Sequence, residues 1–275
     1  MEAGRDGQRM NLMAFGEKYP FLKANLAFWE SYMRARNEVS NELSRIIKLS
    51  PYGGNGQFSI EYGAATPLLA SLKLSLGDED IAALTETFCR VMGLELCSVQ
   101  MGNPVPVFDE LNITTDTKGF VLAEIHAAIA SFVENQVADN SDVIHWLEPF
   151  CPICGAHAAL GLITPSGKKN LVCSHCHSAW DYMRTACGLC GHTEERGGMF
   201  VSADELPDWA VENCTSCGHY LKINDMRSRL PDIIAYPLHY LTTWELDLAV
   251  RDKGYRPAFF KVFERAGWVR FLQSN

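Results

Sequence analysis

Cys151-Pro-Ile-Cys154-Gly155, Cys173-Ser-His-Cys176-His177, Cys187-Gly-Leu-Cys190-Gly191 and Cys214-Thr-Ser-Cys217-Gly218 follow one another in a single window. These four Cys-x-x-Cys pairs use eight of the ten cysteines in the chain. Two thiolates three residues apart on a tight turn can point at one ion, and two such turns supply a sulfur tetrahedron. Eight thiolates therefore predict two closed tetrathiolate metal sites, built from Cys151, Cys154, Cys173, Cys176, Cys187, Cys190, Cys214 and Cys217. The competing readings are weaker. Disulfides need an oxidising compartment, and a thioredoxin-type redox pair would be single and set in a βαβ pattern.

The gaps between the pairs suggest how they combine. Residues 155–172 and 191–213 are each long enough for a β-hairpin that returns one knuckle beside the other. Leu160 to Val172 reads as such a hairpin, turning at Pro165-Ser166-Gly167. Sequential pairing gives two consecutive zinc-ribbon or rubredoxin-like units, and a cross-braced pairing stays open. Gly155, Gly191 and Gly218 follow three of the pairs, where positive φ lets the knuckle close. His177 takes that place in the second pair, which predicts a less regular knuckle. His175, His192 and His219 read as exposed turn residues. Iron and zinc both suit four sulfurs. A closed site leaves no open position for water or substrate, which argues against a metal hydrolase.

Working outward, the 275 residues include 47% hydrophobic residues, enough for a large core, and carry a net charge of −9. Around the cysteines, Lys168, Lys169, Arg184, Arg196 and Lys222 are outnumbered by Asp181, Glu194, Glu195, Asp204, Glu205, Asp208 and Glu212. A nucleic-acid-binding ribbon would present a basic face, so nucleic acid is not the expected partner. The polar start of the chain has no apolar leader segment, and no apolar run is long enough to insert in a membrane. The expected location is cytoplasmic.

Upstream of the cysteines the pattern is helical. Leu22, Leu26, Trp29, Met33, Val39, Leu43, Ile46 and Ile47 recur at three- and four-residue steps over 19–49, with a weak join between Met33 and Val39 that leaves room for two helices. Residues 50–56 read as a loop, and Pro67 opens a helical stretch to Leu76. Gly77-Asp-Glu-Asp starts a helix to about Met92, with acidic residues in its first turn. Cys89 and Cys97 read as buried, apolar-like cysteines. Lys118 to Asn135 is the next helix, and its His126 reads as a hydrogen-bonded core residue. No phosphate loop, nucleophile elbow or zinc-protease histidine pair is present, so catalytic and cofactor-binding residues are not expected in this half. Downstream, Trp180 and Tyr182 should cover the metal site, with Arg184 solvated or paired with Asp181. Pro231 begins a last long helix to about Lys253, ended by Gly254, and an aromatic tail follows.

The expected architecture is α+β: an all-α helical domain (1–146), a first rubredoxin-like module (147–185), a second (186–227), and a C-terminal helix with its tail (228–275). The cysteine region, with Trp180 and Arg184 between its second and third pairs, Tyr220-Leu221-Lys222 after the last, and Leu246-Asp247 to Gly254-Tyr255 beyond, resembles the formate dehydrogenase accessory protein family (FdhE type). The resemblance spans roughly residues 146–256. It implies a cytoplasmic maturation chaperone, not an enzyme, that binds the catalytic subunit of a formate dehydrogenase, with the eight cysteines holding two ions of iron or zinc. The rival reading is a rubredoxin-like electron-transfer protein.

Overall fold

The computed structural model describes residues 16–17, 19–47, 66–71, 76–102, 105–114, 116–138, 146–193, 199–202, 206–227 and 242–258. The expected loop at 50–56, the helix start at Pro231 and the aromatic tail from Phe259 lie outside the described residues.

The described part of the first helical stretch, residues 19–47, holds one long helix rather than two. A 3-10 turn at Pro20–Leu22 leads into α1 (Lys23–Ile46). The weak join disappears because Tyr32, Ala35 and Arg36, not Met33, continue the buried stripe between Trp29 and Val39. Met33 is left on the solvent side. After Pro67 the described part of the expected helical stretch is α2 (Leu68–Ser71), and residues 72–75 lie outside the described residues. Helix α3 (Asp78–Met92) begins as its acidic first turn predicts, with Asp80 Oδ2 accepting from the Gly77 amide at 2.8 Å, and ends on Gly93 in the left-handed conformation at φ 68°. Helix α4 (Thr117–Ala138) buries nearly all of its central length. Helices α1, α3 and α4 pack on one another.

The cysteine region is a sheet. β1 (Ala158–Ile163) and β2 (Lys169–Cys173) form the expected hairpin, with Gly167 at φ 81° in the turn, and β3 (Ala179–Tyr182) extends it. β4 (Met199–Ser202), β5 (Trp209–Asn213) and β6 (His219–Asp225) form a second antiparallel set. The two sets are one sheet, ordered β3-β2-β1-β6-β5-β4, because β1 and β6 pair in parallel from Leu160↔Lys222 to Ile163↔Asp225. Gly161 permits that seam: a Cβ there would stand 2.3 Å from Ile223 Cδ1. A short β7 (Arg256–Pro257) pairs with the start of β6.

The last helix is shorter than expected in its described part. Thr243 is non-helical (φ −124°, ψ 31°), and α5 runs from Trp244 to Arg251. Leu246 and Val250 are buried against Val211 and Tyr220, while Leu248 faces solvent. The fold is thus α+β: a helical region, then a mixed sheet that carries two four-cysteine clusters. A continuous apolar core runs from α1, α3 and α4 through the first cluster to Leu189 and Leu221. Among the described residues no helix is long and apolar enough to cross a membrane.

Candidate metal centres

The sulfurs gather in sequential pairs, not cross-braced ones. Cys151, Cys154, Cys173 and Cys176 form one group, and Cys187, Cys190, Cys214 and Cys217 the other, with ligand atoms within 4.8 Å of one another in each. Four sulfurs about 2.3 Å from one ion stand about 3.8 Å apart at the corners of a tetrahedron. In the first group Cys151–Cys176, Cys154–Cys173 and Cys154–Cys176 are each 3.6 Å apart. In the second, Cys187–Cys217 is 4.0 Å and Cys190–Cys214 is 3.7 Å. These edges are far longer than a disulfide bond, and every described cysteine is a free thiol. Each group has the size and donor set to hold one thiophilic ion, iron or zinc.

The knuckles explain why the sequence folds this way. In each glycine-ended pair the amide of the glycine donates back to the first cysteine's carbonyl: Gly155 to Cys151 at 3.0 Å, Gly191 to Cys187 at 3.0 Å and Gly218 to Cys214 at 2.9 Å. Those glycines sit at φ 85°, 74° and 71°. His177 adopts the same left-handed φ, 66°, so at that residue the second knuckle matches the other three despite its side chain. A non-glycine residue bears strain there, and the His177 ring meets Arg36 at 3.4 Å. Amides also point at sulfur: Ile153 N to Cys151 at 3.4 Å, His175 N to Cys173 at 3.3 Å and Leu189 N to Cys187 at 3.4 Å. Ser178 Oγ lies 3.0 Å from Cys176 Sγ. Such contacts orient ligand sulfurs and stabilise negative charge on them.

The two centres differ in exposure. All four cysteines of the first are buried, whereas Cys190 of the second is exposed and Cys217 half-buried. Burial pushes the Cys151 and Cys154 thiols well above the ordinary range. Cys187 is pushed up by its hydrogen bond to Cys217 and then by burial, and Cys214 rises to about 11 through burial. Crowded thiols in low dielectric resist becoming four thiolates together, and a bound cation supplies the compensation. Ion binding would therefore expel protons.

The helical region grips the first centre. Leu68 N donates to Pro152 O at 2.7 Å, Leu69 N to Ile153 O at 3.1 Å and Phe108 N to Cys154 O at 2.8 Å. His175 is buried, not exposed: its Nε2 is 2.9 Å from His126 Nδ1, and its ring lies 4.4 Å from that of Phe108. His126 is the hydrogen-bonded core histidine the sequence suggested, but its partner lies in a cysteine knuckle 49 residues away. His219 is also buried, with Nδ1 2.7 Å from Cys217 O, while His192 is exposed as expected. The exposed reading failed for His175 because its knuckle packs against the helical region, and for His219 because it opens the buried strand β6.

Trp180 and Tyr182 are buried on alternate positions of β3. Trp180 Nε1 donates to Glu148 O at 3.3 Å, and Tyr182 Oη reaches across to Cys187 O at 3.2 Å, tying the first hairpin to the second centre. Arg184 pairs with the Gly167 carbonyl at 3.1 Å, because Asp181 is taken by Lys168 at 3.2 Å. Cys89 is buried, and Cys97 packs half-buried against the same core.

Two buried lysines escaped the sequence analysis, which counted them with the surface charge. Lys169, 1% exposed, bonds Glu212 at 2.7 Å and the Ala186 carbonyl at 3.0 Å. Lys222, 0% exposed, bonds Asp247 at 2.8 Å and both oxygens of Thr243. Asp247 also accepts from Tyr220 Oη at 2.6 Å. The only sequence sign of this was Tyr220-Leu221-Lys222 and Leu246-Asp247 recurring in one resemblance; the fold brings them into contact.

No protein-family model matches the chain. The chain is similar to the protein named FdhE homolog of Aquifex aeolicus, with 26% identity over 268 residues that span 87% of this chain and 88% of that one. It is 34% identical to the FdhE homolog of Shewanella oneidensis over 110 residues, spanning 38% of this chain and 35% of that one. The fold matches the crystal structure of the FdhE protein from Pseudomonas aeruginosa at a TM-score of 0.51 and 20% identity, covering 92% of this chain and 93% of that one. Sequence and fold therefore uphold the resemblance read from the cysteine knuckles: along most of its length this chain is similar to FdhE proteins.

Proposed function

We propose that the chain is a cytoplasmic maturation chaperone that binds the catalytic subunit of a formate dehydrogenase and assists its assembly. The observation that carries this reading is the pair of four-sulfur clusters in a chain related over most of its length to FdhE homologs. Cys151, Cys154, Cys173 and Cys176 would hold one ion, and Cys187, Cys190, Cys214 and Cys217 the other. Closed tetrathiolate sites staple a fold and leave no position for a reacting substrate. The role is therefore binding rather than catalysis. Reduced thiols suit the cytoplasm, and the acidic chain suits a protein partner better than nucleic acid. We keep the division into a helical domain (1–146), two ribbon modules (147–185 and 186–227) and a C-terminal segment (228–275) as part of this proposal.

Affinity capture of the tagged chain from cells grown on formate is expected to recover the formate dehydrogenase catalytic subunit. A deletion strain should lose formate oxidation. A strain lacking this chain that oxidises formate normally would end the proposal.

A further inference from the structure

Arg36 brings a positive charge into the protein interior, 8% exposed, from the middle of α1. Its Nη1 donates to Tyr32 Oη at 2.9 Å and to His177 Nδ1 at 3.4 Å, and its Nη2 donates to Ser131 Oγ at 3.0 Å. The Ser131 hydroxyl is shared between the carbonyls of Ala127 at 3.0 Å and Cys176 at 2.9 Å. Among the described residues Arg36 makes no ion pair, since all its polar contacts are these neutral ones. A guanidinium removed from water needs a counter-charge nearby.

Two groups can supply it. Glu124 acts on Arg36 and contacts it by way of Tyr32. Burial pushes the Glu124 carboxyl upward, which weakens it as a counter-charge. The other is the first cysteine cluster, which Arg36 reaches through His177 at 3.4 Å and through Ser131, whose hydroxyl donates to the Cys176 carbonyl at 2.9 Å. Four thiolates around a divalent ion leave two negative charges uncompensated, here in a site where every cysteine is buried.

We propose that Arg36 is a positioning residue for the first metal centre: it offsets the charge of the tetrathiolate and holds the Cys176–His177 knuckle through His177 and Ser131. The first ribbon is then not self-sufficient, because a residue 115 or more positions upstream completes it. This rests on the reading that Cys151, Cys154, Cys173 and Cys176 bind an ion.

The test uses the full chain loaded with cadmium(II), read by 113Cd NMR and by the rate of release to EDTA. Cys190→Ser assigns the second-centre resonance. Arg36→Met is expected to speed release from the first centre about 10- to 100-fold and leave the second unchanged, the size typical for a lost outer partner. Arg36→Lys should recover part of the loss by restoring charge. Arg36→Met/Glu124→Gln should recover none. Recovery in that double variant would overturn the proposal, because the harm would then come from an unpaired carboxylate. Should Arg36→Met fail to fold, Ser131→Ala decides: it is expected to move the first-centre resonance alone, and a spectrum like wild type overturns the proposal. A wild-type chain that binds no cadmium at the first centre sinks the ligand reading and this inference together, whereas two resonances with an unmoved Arg36→Met spectrum sink this inference only.

Discussion

His126 Nδ1 lies 2.9 Å from His175 Nε2, joining the middle of α4 to the second cysteine knuckle. His126 Nε2 is 2.8 Å from the Pro106 carbonyl, which only accepts, so Nε2 carries a proton. Nδ1 is then the acceptor in a neutral ring, and His175 donates to it. A second charge has no place between these rings.

That pair predicts acid sensitivity. Burial lowers His126 to about 4 from an ordinary value of 6.5. The unfolded chain binds its proton first, so the contribution is complete above pH 6.5 and is lost as pH falls towards 4. The loss is about 1.4 kcal/mol per pH unit for one such group in that window. Urea unfolding at pH 7, 6 and 5 should show falling stability, with a slope shallower by about one proton in His126→Gln. Equal slopes in the two proteins would refute the assignment.

The Lys169–Glu212 bridge predicts a sharp asymmetry between single and double variants. Lys169→Met leaves a buried carboxylate without its counter-charge, a change that costs about 3–5 kcal/mol. Lys169→Met/Glu212→Leu removes both charges and should recover most of that loss. Chemical denaturation checks this, and a single variant as stable as wild type would contradict the buried pairing.

The seam between the two ribbons depends on Gly161. Gly161→Ala places a Cβ 2.3 Å from Ile223 Cδ1, so that side chain must leave its place or the β1–β6 pairing must open. The expected destabilisation is about 1–3 kcal/mol. Gly161→Ala combined with Ile223→Val should regain part of it, as thermal melting of the two variants would reveal.

Unequal exposure predicts unequal metal removal. Cys190 is open to solvent, while the first cluster is wholly buried. A chelator should empty the second centre before the first, and a thiol-alkylating reagent should then label Cys190 and Cys217 ahead of Cys151 and Cys154. Mass spectrometry of the labelled peptides gives the order. Simultaneous labelling of all eight cysteines would show that the centres open together.

Local chemistry made the cysteine region legible. Knuckle spacing, trailing glycines and the Pro165-Ser166-Gly167 turn are satisfied within a few residues, so the eight sulfurs, the first hairpin and the helix starting after Gly77 could be read directly. The single helix α1 was harder, because Tyr32, Ala35 and Arg36 continue its buried face without looking apolar as a group.

What the sequence alone determined is which side chains can meet an ion, since that depends on short spacings. The tertiary structure alone decided that the two ribbons share one sheet through β1 and β6, that Lys169 and Lys222 lie buried, and that His126 and Arg36 serve a knuckle far along the chain. Each depends on partners 62, 43, 25, 49 or 141 residues away. A charge or an imidazole looks the same in sequence whether water or a buried partner solvates it, and only packing chooses between them.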